Sequence, residues 1–407
     1  MPHPLRLFTI AIATLSLFSA GRAEVNLPTG FAVEVVAGPE LVSEPMDLTF
    51  APDGSAWVTG RTGDLWRLDL VARTTHRVGR VDTDLSGDRG LHGVALHPDF
   101  PRTPHVFLSY HATNHSPSQY RARIARWTVV GDGAKATLNS ASEKSLLEWD
   151  GDQAGQHVGG GLLAHPTERV LYVTTGENNQ NAKIREYCDD PENKAQTLRD
   201  LRGKVVRMGF DGSMPADNPF AKSPDAQGLV YTRGHRQPWA LAYDALTGFI
   251  LLAENGGDLA DDYDEVNRLV PGGNYGWPKV FGDGWSTFSR TNRVDGFTSP
   301  WFMYKRNTSA SCTGAVIYRP PAGAGGGYPA KYHGALFYAD FARKSVRSAP
   351  LNPGTGKTGE SESFLLGLTA GPLALRLGPD GALYFITHGG APKASTNDAV
   401  ARIVWKP

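Results

Sequence analysis

The chain has 407 residues, with 41 basic against 41 acidic side chains and a formal net charge of +0. Such a balance carries no electrostatic footprint for nucleic acid or an acidic membrane surface, so small neutral substrates fit better. The length allows a large core, and 47 glycines and 28 prolines with few amphipathic helical stretches point to many short strands.

Residues 1–23 carry Arg6, an apolar run from Leu7 to about Ala20, and small residues Gly21 and Ala23 ahead of Glu24. That order predicts a signal peptide cleaved near Ala23 and a periplasmic or secreted protein, with residues 24–407 as one domain. Nothing after it reaches the length of a membrane span. An exported chain meets an oxidising compartment, where Cys188 and Cys312 can pair; the sequence leaves that disulfide open.

A turn followed by an apolar, β-branched and aromatic run recurs along the chain. It reads "FAPDGSAWVTG" from Phe50, "LHPDFPRTPHVFLSYH" from Leu96, "AHPTERVLYVTTGEN" from Ala164, "YDALTGFILLAENGG" from Tyr243, "YPAKYHGALFYADF" from Tyr328 and "LGPDGALYFITHGG" from Leu377. Copies at spacings of roughly 45 to 85 residues predict an all-β, six-bladed β-propeller with variable inserted loops, a pair of β-sandwich domains being the alternative. "FAVEVVA" near the start and "ARIVWKP" at the finish both read as strands and are expected to close the ring in one blade.

Loops after the repeated strands are where binding groups concentrate on a rigid scaffold. "GQHVGGGLLAHP" places His157 just ahead of three glycines, which suit close approach of another group to the backbone. His157 can take a proton from a substrate hydroxyl, and Glu177 in "TTGENNQ" can orient the imidazole; a histidine serving only the loop or core is the plainer possibility. In "GHRQPWALAYD", Arg236 offers a planar fork for an anion or staples its own loop, with Gln237 beside it. The acidic run from Glu254 to Glu265 suits Ca²⁺ or is a solvated loop, and the cluster Arg343, Lys344 and Arg347 reads as a solvated face. No dinucleotide-binding, Walker, nucleophile-elbow or zinc motif occurs where those chemistries require one.

Taken together, "GDRGLHGVALHPDF", "GQHVGGGLLAHP", "LYVTTGEN", "LRGKVVRM", "DGSMPADNPF", "GHRQPWALAYD", "DEVNRLVPGGNYGWP" and "LGPDGALYF" resemble the soluble glucose/sorbosone dehydrogenase family, in family order and over most of the chain. The resemblance implies six-bladed propellers that use pyrroloquinoline quinone (PQQ) and calcium to oxidise a sugar at C1. It implies His157 as catalytic base, Glu177 as its support and Arg236 as a cation facing the quinone. Gly256 and Gly257 match carbonyl donors to the cofactor's calcium, and Glu265 with the Tyr275 backbone matches a second, structural calcium. The chain departs from the family around the cofactor. Asp88 replaces a glutamine and Gln237 an asparagine; the expected lysine aligns nearest Ala342, next to Arg343; two expected arginines fall on Gly371 and Leu373. The implied partners are a small sugar and an electron acceptor, for a monomer or homodimer. The competing expectation is a calcium-stabilised propeller that has lost PQQ and binds a carbohydrate or protein partner.

Overall fold

The structure, a computed structural model, describes residues 25–114, 119–152, 156–178, 193–286, 294–325, 327–352, 356–389 and 395–407. The expected signal peptide and Cys188 lie outside the described residues, whereas Cys312 is fully buried.

Six antiparallel sheets form the blades. Blade 1 comprises Pro45–Phe50, Ala56–Gly60, Asp64–Asp69 and Thr74–Arg80, and blade 2 comprises Leu91–Leu96, His105–Ala112, Gln119–Val130 and Lys144–Asp152. Blade 3 runs through Gly159–Ala164, Val170–Thr175, Lys204–Gly209 and Val230–Arg233, and blade 4 through Gln237–Asp244, Phe249–Asn255, Tyr263–Arg268 and Phe302–Lys305. Blade 5 contains Cys312–Ile317, Leu336–Asp340, Ser345–Ala349 and Glu362–Leu365. Blade 6 takes Gly371–Leu377, Leu383–His388 and Ala399–Trp405, and its outermost strand is Phe31–Ala37 from the other end of the chain. Phe31 pairs with Trp405 and Val35 with Ala401, so the two ends share one blade as expected.

The first strand of each blade lies innermost, and each inner strand contacts the inner strands of both neighbouring blades, closing a ring around a central channel. That closure rules out the pair of sandwiches. Blades stack face to face, so their middle strands are covered on both sides and need no alternating pattern. Val170–Thr175, Leu336–Asp340 and Leu383–His388 are buried along their whole length. All six repeated sequence units prove to be second strands with the turn that leads into them.

The apolar residues gather into clusters that each straddle a blade junction. One joins Trp57 and Leu65 of blade 1 to Val94 and Leu108 of blade 2; another joins Tyr172 of blade 3 to Leu241 and Leu252 of blade 4. The core is therefore a ring of inter-blade layers, each removing apolar side chains from water at roughly 25 cal/mol per Å².

First and second strands are antiparallel, so the start of each inner strand and the end of each second strand open on the same mouth of the channel. His157, Glu177, Arg236, Gly256 and Gly257 all sit at such positions. The opposite mouth holds a cavity of about 810 Å³, lined by apolar ends of the inner strands such as Leu48, Leu163 and Ile317. Between the mouths, Arg376 Nη2 donates to Asp47 Oδ1 at 2.6 Å. The large cavity thus contains none of the sequence-predicted catalytic, cofactor or metal residues.

Candidate active site

His157 ends the segment entering blade 3 and adopts φ +58°, a left-handed conformation uncommon for a residue with a Cβ. The turn is held from several sides. Its carbonyl accepts from the backbone N–H of Asn178 at 3.3 Å and from Asn178 Nδ2 at 3.2 Å. Gly176 must be glycine here, because a Cβ would lie 1.6 Å from the same carbonyl oxygen. These contacts bring the ring to Glu177, whose Oε1 is 3.1 Å from His157 Nδ1. Glu177 is buried while His157 keeps an exposed edge. With the Nδ1 proton given to the carboxylate, Nε2 is left as the acceptor, a tautomer assigned from this hydrogen bond.

Arg236 immediately precedes the inner strand of blade 4 and is tied to the same centre through its backbone. Its carbonyl accepts from Glu177 N at 2.9 Å, and its own N–H donates to Glu254 Oε1 at 2.7 Å. The guanidinium lies over the Trp277 ring, 5.4 Å from its centre, and Nη2 donates to Asp258 Oδ2 at 2.5 Å. Next along, Gln237 Oε1 accepts from Gly159 N at 3.3 Å.

Two features of this site escaped sequence reasoning. His92, buried inside blade 2, places Nδ1 3.1 Å from the Gly159 carbonyl and Nε2 2.8 Å from the Asp88 carbonyl. It bridges the loop before blade 2 to the glycine run after His157. A Cβ at Gly160 would lie 3.0 Å from His92 Cβ, so the glycines make room for this ring as well as for any ligand. Burial lowers the His92 pKa, while the Gly159 and Asp88 carbonyls at its two ring nitrogens oppose that shift. Asp258 is the other; in sequence it is one acid among several.

Gly256 and Gly257 follow the second strand of blade 4, and a Cβ on them would lie 1.7 Å from Tyr263 O and 2.0 Å from Asp262 Oδ2, respectively. Among the described residues, neither glycine's carbonyl accepts a hydrogen bond, which suits donors to a hard cation. Glu265 is buried, with Oε1 taking the Gly282 N–H at 2.8 Å and Oε2 taking Asn267 Nδ2 at 3.1 Å. Asn267 Nδ2 also reaches Glu254 Oε2 at 3.0 Å, and Asn267 Oδ1 has no partner among the described residues. Burial and the neighbouring Glu254 charge push Glu265 up to about 8. A divalent cation would relieve that penalty, so the donor chemistry fits calcium. Tyr275 stacks on His235, whose Nδ1–H donates to Glu254 Oε2 at 2.8 Å.

The remaining cofactor candidates are placed less favourably. Arg343 Nε donates to Ser309 O at 3.0 Å and Nη2 to Lys305 O and Arg306 O at 2.5 and 2.9 Å, so its guanidinium staples the turn before blade 5. Lys344 Nζ donates to Thr369 O. At Gly371 a Cβ would lie 2.5 Å from Phe341 O, which explains why no arginine stands there. Leu373 offers its carbonyl to Trp239 Nε1 at 2.8 Å. Asp88 is exposed and contributes its carbonyl to His92. Among these described candidates, Arg236 is thus the guanidinium placed to meet an anionic ligand at this mouth.

Residues 42–394 match the family described as Glucose / Sorbosone dehydrogenase. The chain belongs to that family. It is 30% identical over 259 residues to quinoprotein glucose dehydrogenase B of Acinetobacter calcoaceticus, covering 59% of this chain and 51% of the relative. The match therefore spans about half the length of that protein. The aldose sugar dehydrogenase YliI of Escherichia coli is 28% identical over 368 residues, 88% of this chain and 91% of the relative. Among solved structures, the PQQ-bound aldose sugar dehydrogenase of Streptomyces coelicolor superposes with a TM-score of 0.68 at 25% identity, covering 93% of this chain and 99% of the other. This glucose/sorbosone dehydrogenase family member has no described helix long and apolar enough to cross a membrane.

Proposed function

We propose that this family member is a PQQ-dependent sugar dehydrogenase acting on an aldose or sorbosone-type sugar at C1, with His157 as general base. The observation that carries this reading is the His157–Glu177 pair, 3.1 Å apart and bound through the Glu177 N–H to Arg236. His157 Nε2 would receive the proton of the anomeric hydroxyl, and the Glu177 carboxylate would stabilise the imidazolium that forms. When bound, the quinone supplies the acceptor for the C1 hydride, and the sugar leaves as a lactone. Arg236 would hold one carboxylate of the cofactor against the Trp277 face, and Gly256 and Gly257 would donate carbonyls to its calcium. Glu265 and the Tyr275 backbone would hold a second, structural calcium. Export to the periplasm or beyond, with cleavage near Ala23, completes the reading.

The test is a titration of the mature protein with PQQ in Ca²⁺, following the quinone's absorbance as aldoses are added. Stoichiometric binding and sugar-dependent bleaching are expected. Absence of binding at micromolar PQQ would overturn the reading in favour of a non-catalytic, calcium-stabilised propeller. The engagement of Arg343 with carbonyls and of Arg236 with Asp258 favours that second reading.

A further inference from the structure

We propose that Asp258 is an internal counter-ion that occupies Arg236 until an anionic ligand displaces it. This inference rests on the reading that Arg236 receives a carboxylate of the cofactor. It starts from an asymmetry in the pair: the Arg236 side chain is 6% exposed and that of Asp258 is 51% exposed. A buried guanidinium without an anion carries an uncompensated charge, whereas a half-exposed carboxylate can return to water at little cost. Arg236 therefore requires an anion at this position, and Asp258 is replaceable.

Two neighbouring acids, Asp262 and Asp264, are fixed in other roles. Asp264 is fully buried and takes N–H groups from Gly256 and Cys312 at 3.1 and 2.8 Å and the Arg306 guanidinium at 2.9 Å. Asp262 Oδ2 takes the Leu259 N–H at 2.8 Å and packs against Gly257. Asp258 directly follows Gly256 and Gly257, so it extends from the segment whose carbonyls suit calcium. The carboxylate it offers to Arg236 has the same chemistry as the ligand group that would take its place. Affinity for the cofactor is consequently set by exchange of one carboxylate for another, with the Trp277 face as a fixed wall.

The experiment compares the mature wild-type protein with Asp258→Asn. Thermal midpoints are read without ligand, and PQQ affinity in Ca²⁺ is read by quenching of protein fluorescence. The variant should melt at a lower temperature without ligand yet bind PQQ more tightly, by about tenfold for one regained charge-assisted hydrogen bond. A residue that merely braces the loop would lower both. Unchanged or weaker PQQ binding in the variant would overturn the counter-ion role. Should neither protein bind PQQ, the cofactor reading itself falls, and sulfate in calcium-free buffer decides the remaining question. Sulfate should then raise the melting temperature of Asp258→Asn more than that of the wild type; an equal response would overturn the proposal.

Discussion

Glu177 is bound at both of its working ends: Oε1 lies 3.1 Å from His157 Nδ1, and its backbone N–H donates to Arg236 O at 2.9 Å. One residue thereby fixes the orientation of His157, the proposed base, and its distance from the Arg236 cation of the next blade. His157→Ala should lower kcat by about 10²- to 10⁴-fold, the range expected for losing a general base, while PQQ affinity stays close to that of the wild type. Glu177→Gln should lower kcat without removing binding. Steady-state kinetics beside a PQQ titration checks both, and unchanged turnover in His157→Ala would remove the base assignment.

The same centre has a second support from blade 2. His92 faces the Gly159 and Asp88 carbonyls with its two ring nitrogens, so His92→Leu removes the bridge between the loop before blade 2 and the His157 turn. We expect kcat to fall about tenfold, corresponding to one lost hydrogen bond of about 1.4 kcal/mol in placing the base, with KM changed less. His92→Gln, which keeps a donor, should recover part of the loss. An equal drop in both variants would mean that ring packing against Trp239 and His111, rather than hydrogen bonding, is what His92 supplies.

Why the first of these supports was legible in the sequence and the second was not has a physical answer. The repeated turn-and-strand units mark the blades because each second strand is buried on both faces and is therefore mostly apolar, as in "VLYVTT". His157 stood out because glycines flank it, and Glu177 because it ends the next such strand. His92 touches Gly159 from 67 positions away, a contact that exists only once blades 2 and 3 are stacked. In the acidic run, Asp258 and Asp264 look alike as letters; folding buries one under Cys312 and leaves the other half exposed on Arg236. Arg343 shows the converse, a cation that sequence offered to the cofactor and that the fold directs to three carbonyls.

In the channel, Arg376 joins Asp47 at 2.6 Å and also donates to the Leu48 carbonyl at 3.2 Å, so blades 6 and 1 are linked by a nearly buried ion pair. Removing one partner strands the other charge, which typically costs about 3–5 kcal/mol. Asp47→Leu should lower stability by about 3 kcal/mol, the lower end because both side chains keep some solvent contact. Denaturant unfolding would measure it. Because the pair lies below the active-site mouth, PQQ affinity in the folded variant should be little changed.

Glu265 provides the pH test. Burial and the Glu254 charge push its pKa from 4.5 up to about 8, so in chelator the folded state holds a proton that the unfolded chain has released over this interval. Stability bound to that proton is present below about 4.5 and is lost as pH rises toward about 8. Glu265→Gln carries no such proton and should flatten this part of the stability curve in chelator. Calcium should flatten the wild-type curve too, since the cation replaces the proton as the partner of the buried carboxylate, and its stabilisation should grow with pH. The variant should gain less from calcium than the wild type, so that the two curves separate in calcium near pH 8 in favour of the wild type. Thermal melts across pH with and without chelator measure both effects; equal calcium stabilisation of the two proteins would remove Glu265 from the metal site.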